Sequence, residues 1–298
     1  MIACRTIKIP GFSSRADLPA RRRSAGRTGS PSIFRFLLLS LIPALLYSPA
    51  FASAMALNFA GEPVAMSRLE VHEGLDQELL LISEAKSRVW LTLRRSERYL
   101  PVITAALESQ NVPADFKFLP MTLTNLDPLF LAAGRRGMWR MTAHEATEAG
   151  LIVNNRIDER LDPVASSQAA AAKIAALKNA LGSWTLALAA FIDQRALLTA
   201  LTQADGEKDY YRLYVEESAE KFFNQVLAGK VLYSNPHVYG YTLTKGWSIL
   251  STKRIRLEAS ADIKSLAAQY KVDYKTFRAM NPHLLTTVAP VGANLNIP

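Results

Sequence analysis

From Leu75 to Leu232 the apolar residues keep helical spacing, and no segment in that interval alternates convincingly as a half-buried strand does. Such a chain folds as a helical domain. The first run (Leu75, Leu79, Ile82, Val89, Leu93, Leu100, Ile103, Leu107) is interrupted near Pro101, which predicts two helices or one kinked helix. Asn111-Val-Pro-Ala-Asp115 is a stop-and-start signal, and a short apolar segment, 116–123, follows it. Residues 125–137 read as loop, with Asp127-Pro128 and two glycines, and 138–149 as helix. Two alanine-rich helices, 166–181 and 184–204, are separated by Gly182-Ser183, and a further helix over 214–232 ends before Asn235-Pro236.

After Gly240 the pattern changes. Residues 241–257 are β-branched and alternating, 262–270 and 274–281 read as short helices, and 293–298 as a closing strand. This predicts a small βααβ module that folds on its own. The expected boundaries are 1–52 for a leader, 53–85 for a linker and the start of the first helix, 86–239 for the helical domain and 240–298 for the module.

The net charge of +9 suggests a nucleic-acid partner until it is located. Residues 1–52 hold eight basic side chains and one acid, Asp17; the remainder has 27 basic and 25 acidic residues and is nearly neutral. No nucleic-acid partner is therefore expected. The apolar run 36–46 follows Arg35 and leads into Ala50-Phe-Ala52-Ser-Ala54, an A-x-A pattern that reads as a cleaved signal peptide. An uncleaved anchor is the competing reading, since no charge falls between Phe36 and Gly61, but Pro43 and Pro49 oppose a continuous spanning helix. The only cysteine, Cys4, lies in the leader, which removes disulfides, thiolate zinc sites and lipid modification from the expected chemistry. His72, His144, His237 and His283 lack metal-ligand spacing, so neither metal nor cofactor is expected.

Several stretches, in order, resemble the soluble lytic transglycosylase family in its D-type membrane-bound form: 94–103, 112–120, Gly137-Met-Trp139, Asp158-Glu-Arg-Leu-Asp-Pro163, 184–190 and Asn235-Pro-His-Val-Tyr-Gly240. The resemblance implies a mainly α, lysozyme-like domain acting on peptidoglycan. Asp262–Tyr270, Val272, Phe277, Met280-Asn-Pro282 and Leu295–Pro298 are similar to a LysM module, which implies binding of N-acetylglucosamine units. Its usual opening strand is poorly matched, and a degenerate cap on the main domain is the alternative.

Glycosidic cleavage needs a proton for the leaving oxygen, usually from a carboxylic acid of raised pKa. The resemblance implies one glutamate, in a Glu-Ser-x-Phe-x-Pro motif, that protonates the bond and then takes a proton from the sugar's own 6-hydroxyl, closing a 1,6-anhydro ring. Here the motif reads Leu123-Thr124-Asn125-Leu126-Asp127-Pro128, and the acid position is Leu123. Leucine cannot move a proton. The nearest substitutes are Asp127, otherwise a loop or capping residue, and Glu145, which with Glu148 otherwise reads as solvated helix face. Glu159 and Asp162 belong to a motif kept for structure.

The family's Ala-Ala-Tyr-Asn-Ala-Gly-Pro-Gly segment has become Ala189-Ala-Phe191-Ile192-Asp193-Gln194-Arg195, and its Gly-Leu-Trp-Gln pattern Gly137-Met-Trp139-Arg140. Thr124, Trp139, Arg140, Phe191 and Ile192 are thus the groove candidates, with Trp139 equally placed to be core. Arg135 and Arg136 are candidates for binding carboxylates, or else an ordinary basic loop. The sequence reads as a periplasmic, peptidoglycan-binding protein whose transglycosylase domain no longer cleaves. The alternatives are an active enzyme with a relocated acid, or a protein-interaction module that binds no glycan.

Overall fold

The computed structural model describes residues 57–242, 245–247 and 253–298. The leader, its cleavage region and part of 241–257 lie outside them. The described chain is mainly helical. The first helices are α1 (Leu69–Glu84) and α2 (Lys86–Ser109), which meet at Ala85. The break expected at Pro101 therefore falls 16 residues earlier, and Pro101 is carried inside α2. A short α3 (Phe118–Leu123) and a two-strand hairpin, β3 (Leu131–Ala132) and β4 (Arg135–Arg136), come next. The hairpin turns on Ala133 and Gly134, both at positive φ, as a tight two-residue loop requires.

The helix expected over 138–149 is confined to α4 (Ala143–Glu148). Arg140 at φ +54° cannot continue a helix, and Thr142 and Glu145 form a reciprocal capping box that fixes the start. Asp162 caps α5 (Pro163–Leu181) and Ser183 caps α6 (Trp184–Gln203). α6 is long and apolar enough to cross a membrane, but half of that stretch is buried inside the protein. It breaks at Asp193 (φ −151°, ψ 94°), whose carboxylate accepts from the Ala196 N–H and restarts the helix. α7 (Glu217–Ser234) completes the bundle, packing on α1, α3 and α6.

Residues from Leu57 on are not a linker. β1 (Asn58–Phe59) and β2 (Glu62–Pro63) form a hairpin that inserts Phe59, fully buried, edge-on against Phe116. Glu62 accepts from the Trp184 and Thr185 N–H groups at the start of α6. That carboxylate therefore both anchors the hairpin and complements the helix dipole.

The C-terminal part runs β5 (Lys253–Arg256), β6 (Ala261–Asp262), α8 (Ile263–Gln269), α9 (Tyr274–Met280), β7 (Val288–Ala289) and β8 (Asn294–Ile297). β5 pairs antiparallel with β8, and β6 with β7. Its core of Ile263, Leu266, Phe277, Leu284 and Leu295 is separate from the main one but includes Ile157 of the helical domain. The junction is built around the 158–162 motif. The Asp158 N–H donates to the His283 carbonyl, Arg254 pairs with Asp162 at 2.9 Å, and Asn294 reaches Glu159.

This junction qualifies the expectation of an independently folding module. Residues 240–298 alone would leave the Ile157 contact open, and burying an isoleucine is worth about 1.5–3 kcal/mol. We expect the fragment to unfold well below the same region in the intact chain, measured by thermal unfolding of each. Equal midpoints would show that docking contributes nothing.

Candidate functional site

A cavity of about 510 Å³ opens at the C-terminal end of α3, with Leu123 in its wall. α1 supplies Glu78, Leu81 and Ile82; α7 supplies Lys221, Phe222 and Gln225. Ala85, Arg88, Thr122, Asn125 and Phe130 complete it. Missing side chains bring these walls together. A Cβ on Gly74 would lie 2.5 Å from the Asn224 amide on α7, and one on Gly229 would lie 1.8 Å from the Thr122 hydroxyl. α1 and α3 can therefore both close on α7.

Behind Leu123 the chain makes a strained turn. Asn125 and Leu126 both take positive φ, at 51° and 53°, a conformation that side chains disfavour. Arg95 holds it, donating to the Asn125 carbonyl at 3.0 Å and to the Asp127 carboxylate at 3.2 Å. The other Asp127 oxygen accepts from the Leu129 N–H. Both oxygens are engaged, and Asp127 does not line the cavity.

Glu145, the other substitute acid, lies elsewhere, in the wall of a separate open cleft with His144 and Arg195. Burial pulls its carboxyl upward, but the Thr142 backbone N–H, Lys173 and Arg135 outweigh burial and hold it below the ordinary glutamate value. A general acid needs the opposite shift. Nor is Glu145 a solvated helix-face carboxylate, because it closes the capping box and pairs with two cations.

The groove candidates are distributed differently from the expectation. Thr124 is buried, its hydroxyl 2.8 Å from the Met138 carbonyl. Trp139 is 2% exposed, donates to the Ser167 hydroxyl and meets Phe191 edge-on. Phe191 is buried, and Ile192 packs against the same core. None of these four lines the cavity. Arg140 reaches it indirectly, its guanidinium 4.3 Å from the Phe222 ring and 5.7 Å from that of Phe130. Burial, with Arg135 nearby, lowers the Arg140 pKa, yet the group stays protonated at physiological pH. Arg135 pairs with Glu145 and Arg136 with Asp158, so both proposed anion-binding side chains already have protein carboxylates.

Sequence reasoning missed Glu78, Arg88, Lys221 and Gln225. Among the described residues no group of three or more His, Cys, Asp or Glu is arranged to hold a metal ion.

Comparison with known proteins accounts for the centre of this arrangement. Residues 110–203 match the Transglycosylase SLT domain. The chain is also similar to the membrane-bound lytic murein transglycosylase D of Escherichia coli strain K12, 23% identical over 193 residues, which are 63% of this chain and 43% of the relative. The protein of the same description from E. coli O6:H1 strain CFT073 matches equally. The chain spans less than half the length of these relatives. Together the two comparisons support the lytic transglycosylase family. The SLT-matched segment holds Leu123, the 125–126 turn and the Asp193 break, whereas α1 and α7, which supply the charged cavity walls, lie outside it.

Proposed function

We propose that this is an exported cell-envelope protein that binds peptidoglycan glycan strands through a degenerate, non-cleaving SLT-type domain, with a LysM-like module docked behind it. The observation that carries the reading is Leu123 in the cavity wall, at the position where the sequence resemblance implies an acid. Supporting it, Asp127 and Glu145 are each committed to structural contacts away from the cavity. The sequence of the leader and the likeness to a membrane-bound relative support the location. The β5–α8–α9–β8 order agrees with the LysM resemblance.

The mature protein is expected to pellet with purified peptidoglycan and to release no 1,6-anhydro product from it. Leu123→Glu is expected to fold, about 1–3 kcal/mol less stable for placing a charge at a half-buried site, and to remain inactive. A carboxyl there would still lack the amide donors that Arg140 and Ile192 replace, and such donors supply much of the transition-state stabilisation. Release of anhydro-muropeptides by the natural chain would overturn the non-cleaving assignment; release by Leu123→Glu alone would show that the groove is still competent and that the loss is confined to this residue. Failure of both to pellet would overturn the binding one.

A further inference from the structure

Glu78 is 5% exposed and lines the Leu123 cavity, and among the described residues no hydrogen bond or ion pair engages its carboxylate. The Thr122 hydroxyl, on the next element, is turned against Gly229 and closed to a ligand. A carboxylate on a residue this buried, left without a protein partner, is unusual, because buried donors and acceptors are nearly always matched within a protein. A carboxylate withdrawn from water gains most from a cation that enters and pairs with it. Arg88 and Lys221 line the same cavity but are exposed, where they can meet a ligand's anionic end. A volume of about 510 Å³ suits a ligand of a few residues.

We propose that this cavity binds a primary ammonium, with Glu78 accepting its hydrogen bonds while Arg88 and Lys221 take carboxylates on the same molecule. That the ligand belongs to the cell wall rests on the function proposed above. Two wall components carry a primary ammonium: the diamino acid of a stem peptide and a de-N-acetylated glucosamine. The paired cations favour the first, since only the peptide places carboxylates beside its ammonium. The site thus reads the peptide rather than the sugar.

Calorimetric titration of the full mature chain with N-acetylalanyl-γ-glutamyl-diaminopimelate, whose one free amine is on the diamino acid, tests this. Three other probes go alongside: the same peptide with its free amine acetylated, a glucosamine tetramer and an N-acetylglucosamine tetramer. The free-amine peptide is expected to bind. Acetylation or Glu78→Gln should weaken it by about tenfold or more, as the loss of a charged hydrogen bond. Arg88→Gln should weaken binding and flatten its salt dependence.

Equal binding by wild type and Glu78→Gln, with both folded by circular dichroism, would overturn the proposal, as would indifference to acetylation. Tighter binding of the glucosamine tetramer than of the peptide would overturn the stem-peptide assignment. Anhydro product from wild type that disappears in Glu78→Gln would make Glu78 an acid catalyst instead. Pelleting with peptide-stripped glycan reports on the earlier reading alone, so the two can fail separately.

Discussion

Asp158→Ala is expected to destabilise the protein by about 3–5 kcal/mol, the cost of leaving a buried cation without its partner. Asp158 is 2% exposed and receives Arg160 Nε and Nη2, both at 2.8 Å, together with Arg136 at 3.0 Å. Arg160 is itself buried, so its charge cannot be returned to water when the carboxylate is removed. For a chain of this size that is a fall in melting temperature on the order of 10 °C. Burial pulls the Asp158 carboxyl upward, but the Arg160 and Arg136 hydrogen bonds outweigh it and leave the folded value below the ordinary aspartate range. A depressed folded pKa contributes stability above the unfolded value, about 3.9, and that stability is lost as pH falls through the folded one. The gap between wild type and Asp158→Ala should therefore be full at pH 7 and narrow below about pH 4. A gap independent of pH would mean that packing, not charge, accounts for the loss.

The helical domain was legible in the sequence because its periodicity, caps and Gly182-Ser183 break are local signals, and the structure keeps them. What the sequence could not show was which side chains converge. Thr124, Trp139 and Phe191 stand in or beside the motifs that carry the sequence resemblance, from which a groove position is expected, but a hydroxyl 2.8 Å from the Met138 carbonyl, an indole bonded to Ser167 and an edge-on ring pair hold them in the core. Arg135 and Arg136 read as a free basic patch because their carboxylates, Glu145 and Asp158, are 10 and 22 residues away. Glu78 and Lys221 gave no signal at all. They sit on helices separated by more than 130 residues, and only the close approach of α1 to α7 at Gly74 and Asn224 brings both to one cavity. Helix spacing predicts that a face is buried, but not what it meets across a long loop closure.

Gly137→Ala is expected to be the most damaging single substitution in the domain, costing more than about 4 kcal/mol. Gly137 has φ +72°, where an L-residue already loses about 1–2 kcal/mol. An added Cβ would also stand 1.8 Å from the Arg160 carbonyl oxygen and 2.8 Å from its carbon. Those are backbone atoms, and they cannot swing aside as a side chain would. Arg160 is fixed in turn by Asp158, so relief must come from moving the 137–141 turn itself. That turn carries Arg140, whose guanidinium rests on Phe222 and Phe130 in the cavity wall. Losses of stability and of ligand binding should therefore appear together. Gly182→Ala separates the two costs, because Gly182 has φ +82° but nothing within 4 Å of an added Cβ. It should lose only that conformational cost, about 1–2 kcal/mol, and leave binding unchanged. Equal destabilisation by the two variants, measured by denaturant unfolding, would show that the Arg160 contact is not what fixes this glycine. The expected inequality would give Gly137 a structural role: the glycine seats the turn beneath the cavity against the Arg160 backbone, whatever chemistry the cavity performs.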